Sequence, residues 1–322
     1  MLEIDRNQQQ ENRLKNDDIA IDVFTVPMAL GANRSGVDLG AALIDDRLRK
    51  RLRARGFPNI LERLSPAQQL EVMALDDACE LEQTVENARH VAPIAEACTQ
   101  MSETVARSLK DGKFALLLGG DHALSIGSLA AASTLGRLGV IWIDAHGDIN
   151  TPDTSPSGNV HGMPLAVSLG YGPRELVEVG SHFDVALDDI AYIGVRSLDP
   201  RERELLRQSP AMVYTMDSVD TLGINGVTQE AVRRLQERGV DAVHISLDLD
   251  VLDPVAFAAT GTTSPGGLTY REVRRALSLI RDSVLPIVSA DIVEFNPTLD
   301  RDGGSASVAA GLTAALLGEQ LA

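Results

Sequence analysis

Apolar and polar positions alternate along this chain with two different periods. Runs of mostly consecutive apolar residues at 19–26, 114–118, 138–144, 191–195, 212–215, 241–250 and 286–293 end in glycine or charged residues. Such runs, rich in Val, Ile and Leu, predict strands buried on both faces. Between them the apolar spacing is helical. Residues 65–111 are predicted mostly helical, with Ser65 and Pro66 as cap and first-turn pair and an amphipathic stretch over 85–109 that Pro93 starts or kinks. Residues 123–135, stopped by Gly136, and 269–283 are further helices.

Roughly eight alternations of strand and helix imply the α/β class: a mostly parallel central sheet with helices on both faces. Residues 1–18 are expected to be a polar, flexible lead-in, and 19–322 a single domain, since no Pro-, Gly- or Ser-rich linker and no repeat divides them. The glycines of the loop after the first strand, at 31, 36 and 40, lack the spacing of a phosphate-binding motif and predict a structural turn.

Composition narrows the function. With aromatics at 3%, the core must come mainly from Ala, Val, Leu and Ile. A formal charge of -17 argues against nucleic acid or an anionic membrane as partner; it fits solubility, or a cationic substrate. Cys79 and Cys98 have no metal-type spacing and are expected as packing residues in a reducing compartment. Residues 1–18 lack the apolar core of a signal peptide and no run is long enough to span a bilayer, so a cytoplasmic location is expected.

The chemistry sits where the strands stop. His122 follows the second strand; Asp144, His146 and Asp148 follow the third; Asp248 and Asp250 close the sixth, and Glu294 ends the last. If the third strand continued, period-two alternation would put Asp144, His146 and Asp148 on one face. Strand carboxyl ends converge in such sheets, so these residues can share a crevice. Carboxylates so grouped repel one another and lose solvation unless a cation neutralises them. Four carboxylates and two imidazoles without a thiolate exceed one tetrahedral zinc and point to two six-coordinate ions, with manganese(II) more natural than magnesium or calcium. Two such ions roughly 3.5 Å apart can share a hydroxide at neutral pH, which makes hydrolysis the inferred reaction class.

Taken in order, GGDHALSIGS (119–128), DAHGDINTP (144–152), SGNVHG (157–162), SLDLDVLDP (246–254), ATGTTSPGGLTYRE (259–272) and VEFNP (293–297) resemble the arginase branch of the ureohydrolase family, over about residues 19–318. That resemblance implies a three-layer αβα fold and manganese-dependent hydrolysis of L-arginine to L-ornithine and urea by a metal-bridging hydroxide. It places His122, Asp144, Asp148 and Asp248 around one Mn(II) and Asp144, His146, Asp248 and Asp250 around the other. Glu294 would pair with the substrate guanidinium and His161 would shuttle a proton. Asn150 and Ser157, with Ser155 through water, would hold the α-carboxylate. Asp199, assisted by Glu202, would read the α-ammonium, and Thr262 is carried over as a substrate contact. Asp153 is expected to face solvent. His244, Asp253 and Trp142 are expected to be structural, and His90 and His182 are assigned no function. The resemblance also implies a homo-oligomer, trimer or hexamer, with TYRE (269–272) similar to a segment that makes inter-subunit ion pairs. The competing readings are an agmatinase or other guanidino ureohydrolase, a metal-binding homologue without turnover, and a one-zinc amidohydrolase.

Overall fold

A computed structural model describes residues 11–32, 34–80, 85–180 and 183–320. Eight strands form one sheet: β1 (Ile21–Val26), β2 (Gln68–Gln69), β3 (Phe114–Gly119), β4 (Leu138–Ile143), β5 (Val185–Val195), β6 (Met212–Thr215), β7 (Ala242–Asp248) and β8 (Ile287–Val293). Their order is β2-β1-β3-β8-β7-β4-β5-β6, and every neighbouring pair is parallel. The α/β expectation holds.

Strands β3 and β4, FALLLG and LGVIWI, are buried at every position because helices cover both faces. The faces divide by strand period: Phe114, Leu116 and Leu118 enter one core with helices Gly40–Arg55, Met216–Arg238, Tyr270–Arg281 and Ser305–Leu316. Ala115 and Leu117 enter the other, with helices Val91–Lys110 and Ser125–Ala132. Among the described residues no helix is long and apolar enough to cross a membrane.

Three expectations are corrected. Residues 65–74 are not helix: Ser65 Oγ accepts the Val23 N–H at 3.0 Å, Gln68–Gln69 forms the edge strand β2 on Phe24 and Thr25, and a short helix runs over Leu75–Glu80. A two-residue exposed strand has no apolar period to reveal it. The long helix begins at Val91, with Pro93 in its first turn, where no N–H is needed. Residues 12–14 are no flexible lead-in. Leu14 is buried, Asn12 Nδ2 donates to the carbonyls of Arg281 and Ser283, and Arg13 Nη1 donates to those of Leu109 and Lys113. Finally, β4 ends at Ile143, so the Asp144–Asp148 segment is not strand. His182 and the Cys79 side chain lie outside the described residues.

The C-terminal segment is tied down by charge. Glu319 is 1% exposed and receives Arg51 Nε and Nη2 at 2.9 and 2.8 Å and Arg274 Nη1 at 3.1 Å. Removing a carboxylate from a buried pair strands its cations. Glu319→Ala is therefore expected to lower the unfolding free energy by about 3–5 kcal/mol, read by guanidinium denaturation, while leaving metal binding unchanged.

Candidate metal centre and substrate cleft

The ligand-type residues emerge from the carboxyl ends of β3, β8, β7 and β4, four adjacent strands at the middle of the sheet. Gly120 makes the convergence possible. Its N–H donates to Val26 O and its carbonyl accepts Glu294 N–H, so three strand ends meet there; a Cβ would sit 1.8 Å from Met28 O. Asp121 secures the same corner, accepting the N–H groups of Gly31, Ala32 and Ala123.

Two groups of side chains are close enough to hold a metal ion: His122, Asp144, Asp148 and Asp248, and Asp144, His146 and Asp250. Asp144 belongs to both. Asp248 is in the first group, and its Oδ1 accepts the N–H of Asp250 in the second at 2.7 Å. His146 and Asp148 separate because the chain turns after β4: Asp144 Oδ1 accepts the His146 N–H at 2.7 Å and Asp148 takes a left-handed φ of 47°. A turn rather than strand alternation thus distributes these ligands.

The donor set fits cations. His122 Nδ1 is buried, has no hydrogen bond of acceptable geometry, and lies 3.3, 2.8 and 3.1 Å from oxygens of Asp144, Asp148 and Asp248. One ring nitrogen cannot satisfy three carboxylates with a proton, whereas a cation between them satisfies all four. His146 Nδ1 faces Asp250 at 3.0 Å and Asp144 at 3.5 Å. Burial alone would lower the His122 pKa, yet the facing carboxylates hold it well above its usual value. Burial and the Asp144 charge push Asp148 up to about 6. Burial and Asp250 likewise raise Asp248.

Beneath this cluster lies a polar network that sequence reasoning missed. His122 Nε2 is 2.7 Å from Ser246 Oγ, which donates its hydroxyl proton to Asp291 Oδ1. Ser246 therefore accepts from Nε2–H, which points the Nδ1 lone pair toward the carboxylates. Asp291 Oδ2 takes hydroxyls from Ser125 and Ser128 at 2.9 and 2.7 Å and faces His244 Nε2 at 2.9 Å. Asp291 is held down at about 2, where burial is outweighed by His244 and these donors. His244 is structural as expected, and Asp253 caps the N–H groups of Val255, Gly266 and Gly267. Trp142 does more than fill volume: its indole N–H donates to Asp144 Oδ2 at 3.0 Å and its ring stacks on His122 at 4.2 Å. A lone carboxylate inside the apolar strand IVSADIV was the available signal for Asp291.

A cleft opens over the ligands, lined by His146, Asp148, Asp248 and Asp250 together with Asn150, Ser155, Ser157, His161, Asp199, Glu202 and Thr262. Asn150 Nδ2 donates to Asp199 Oδ2 at 2.9 Å. Glu202 accepts the N–H of Ile149 and of Asp199, so it positions the wall; burial and Asp148 raise its pKa to about 7. Ser155 Oγ accepts the Gly158 N–H, Ser157 Oγ accepts the Asn159 N–H, and Thr262 donates to Asp250 Oδ2 at 3.0 Å. Asp153 is exposed, as expected. Glu294 lies under the cleft wall, its Oε1 accepting the His122 N–H at 2.9 Å and facing His161 Nδ1 at 3.1 Å. Against the effect of burial, His161 is raised to about 9 by Glu294, and Glu294 is lowered by His161.

Among the described residues, the non-glycine residues at positive φ are Glu86, Asn87, His90, Asp148 and Glu294. Two belong to the site, and the other three form a turn that props the cleft wall. Asn87 Nδ2 donates to the carbonyls of Pro152 and Ser155, and Arg89 N–H to that of Gly158. Backbone strain concentrated at one place is a mark of function. His90, the residue before the helix at Val91, is part of this turn.

The arginase family model matches residues 19–318. The arginase of Bacillus caldovelox is 43% identical over 305 residues, covering 94% of this chain and 99% of its own length. A native structure of that arginase at pH 5.6 aligns with a TM-score of 0.84 and 40% identity, over 94% of this chain and all of that one. The arginase of Entamoeba histolytica in complex with L-ornithine aligns with a TM-score of 0.81 and 27% identity, over 93% of this chain and 99% of that one. Fold, order of motifs, ligand groups and near full-length similarity agree: this chain belongs to the arginase family.

Proposed function

We propose that the protein hydrolyses L-arginine to L-ornithine and urea with two Mn(II) ions per subunit. The observation that carries this reading is the pair of ligand groups joined at Asp144 beneath a cleft whose far wall bears Asn150, Ser157 and Asp199. His122, Asp144, Asp148 and Asp248 would hold one ion, and Asp144, His146 and Asp250, with Asp248 bridging, the other. Bound there, divalent ions supply a water nucleophile at neutral pH.

The protein's own residues do the rest. A guanidinium presents a planar fork of donors, and Glu294, fixed through Oε1 by His122 N–H and His161, is the carboxylate to receive it. His161, half-buried against Glu294 and lining the cleft, hands a proton to the departing δ-amine. At the far wall Asp199, its carboxylate oriented by Asn150 Nδ2, suits an α-ammonium, while Asn150 and the Ser157 hydroxyl suit an α-carboxylate. Ser155 contributes through water, and Glu202 holds Asp199 in place. Thr262 steadies Asp250 at the cleft edge. A homo-oligomer, trimer or hexamer, and a cytoplasmic location complete the reading; Glu272 of TYRE already accepts the Thr269 N–H in a capping box, and Arg271, exposed and without an ion pair among the described residues, is that segment's charge for a neighbour.

Metal-stripped protein supplied with Mn(II) is expected to release urea from arginine and far less from agmatine; activity on agmatine alone would overturn the substrate. Asn150→Ala and Ser157→Ala should each raise KM for arginine by about 10-fold or more, the loss of a hydrogen bond to a charged group, with kcat little changed; unaltered KM in steady-state assays would remove both from the binding wall. Because ligands must be deprotonated, Mn(II) affinity should fall as pH drops through about 6, where Asp148 takes up its proton. Calorimetry in buffers of differing ionisation enthalpy would show proton release on binding; affinity flat between pH 5 and 8 would contradict this.

A further inference from the structure

Arg196 stands at the carboxyl end of β5, and among the described residues its guanidinium hydrogen-bonds only main-chain carbonyls. Nη2 donates to Asp250 O at 2.9 Å, Leu252 O at 3.3 Å and Ser264 O at 2.7 Å. Nη1 donates to Val251 O at 3.1 Å and Gly194 O at 3.3 Å, and Nε to Ser264 O and Pro265 O, both at 3.2 Å. Gly267 leaves room for this: a Cβ there would lie 2.5 Å from Nη2. A guanidinium ordinarily finds a carboxylate; here its rigid fork knots two loops together.

The two loops are those of the second ligand group. One is the turn carrying Asp250; the other carries Thr262, which donates to Asp250 Oδ2. The main-chain N–H of Arg196 donates to Ala145 O at 2.9 Å, between Asp144 and His146. One residue is thus bonded to the backbone at or beside Asp144, His146 and Asp250. Two members of the first group are anchored elsewhere, His122 N–H on Glu294 Oε1 and the Asp148 carbonyl on Leu165 N–H.

We infer that Arg196 is the positioning residue of the second ion, setting the affinity of the Asp144, His146 and Asp250 site, while His122 and Asp148, which belong to the other site alone, are held without it. This rests on the binuclear reading above. Charge and geometry act in opposite directions: a cation beside a metal site repels the ion, so a role through charge alone would make removal of Arg196 tighten binding. A role through the fork makes removal loosen it, and a lysine, with a single ammonium, does not restore it.

The test is titration of the metal-stripped full chain with Mn(II), followed by calorimetry and by the electron paramagnetic resonance of free Mn(II). Wild type is expected to bind two equivalents. R196K, which keeps the charge and the stem, should bind the first as wild type does and the second about 10–100-fold more weakly, the usual range for residues that orient metal ligands; R196A should behave alike. One equivalent in wild type would defeat the binuclear reading itself. With two in wild type, unchanged, tightened or equally loosened binding at both sites in folded R196K would overturn the role of Arg196. Failure of R196K to fold, judged by circular dichroism, would assign the residue to the scaffold and overturn it equally.

Discussion

Four aspartates, at 144, 148, 248 and 250, come together in a buried space at the ends of β4 and β7. Their mutual repulsion and lost solvation are the constraint on which the rest of the structure depends. The imidazoles alone do not satisfy them: a single nitrogen of His122 faces three carboxylates. Cations resolve the conflict, and the surrounding architecture serves to keep the carboxylates together until cations arrive.

That service has layers. Trp142 stacks on His122 and donates to Asp144, and Ser246 with Asp291 sets which nitrogen of His122 looks outward. These partners are buried, so their geometry cannot relax toward water, and His122 is held through Nε2, the ring nitrogen turned away from the carboxylates. The sheet supplies the rigidity: β3, β8, β7 and β4 are its four middle strands and are covered on both faces.

Above the ligands the wall between residues 148 and 162 is irregular chain, which by itself would be loose. It is fastened by Glu202 from one side and by the strained turn at Asn87 from the other. The shape of this cleft wall thus depends on residues far away in the sequence, and the site's left-handed residues, Asp148 and Glu294, persist because neighbours over-determine them.

The chain's own pattern was sufficient for the α/β class, the long strands and the ligand-type residues that the fold gathers into two groups. Apolar runs covered on both faces read the same before and after folding, and a carboxylate at the end of such a run has no bland explanation when it recurs at strand after strand. The sequence was silent where partners are remote or elements short. β2 has two exposed residues and no period; Asn12 and Arg13 look like a polar lead-in until the carbonyls they bind are known. The division of Asp148 and His146 between two ion sites follows from a turn that alternation cannot describe. Apart from the Arg196 bond to Gly194, the side chains of Asn87, Arg196 and Asp291 act through partners 45 to 166 residues away, with Ser246 and Asp291 separated by 45 and Ser125 and Asp291 by 166. Such contacts leave no local period or spacing, because hydrogen-bond geometry is decided only when the strands have been placed side by side.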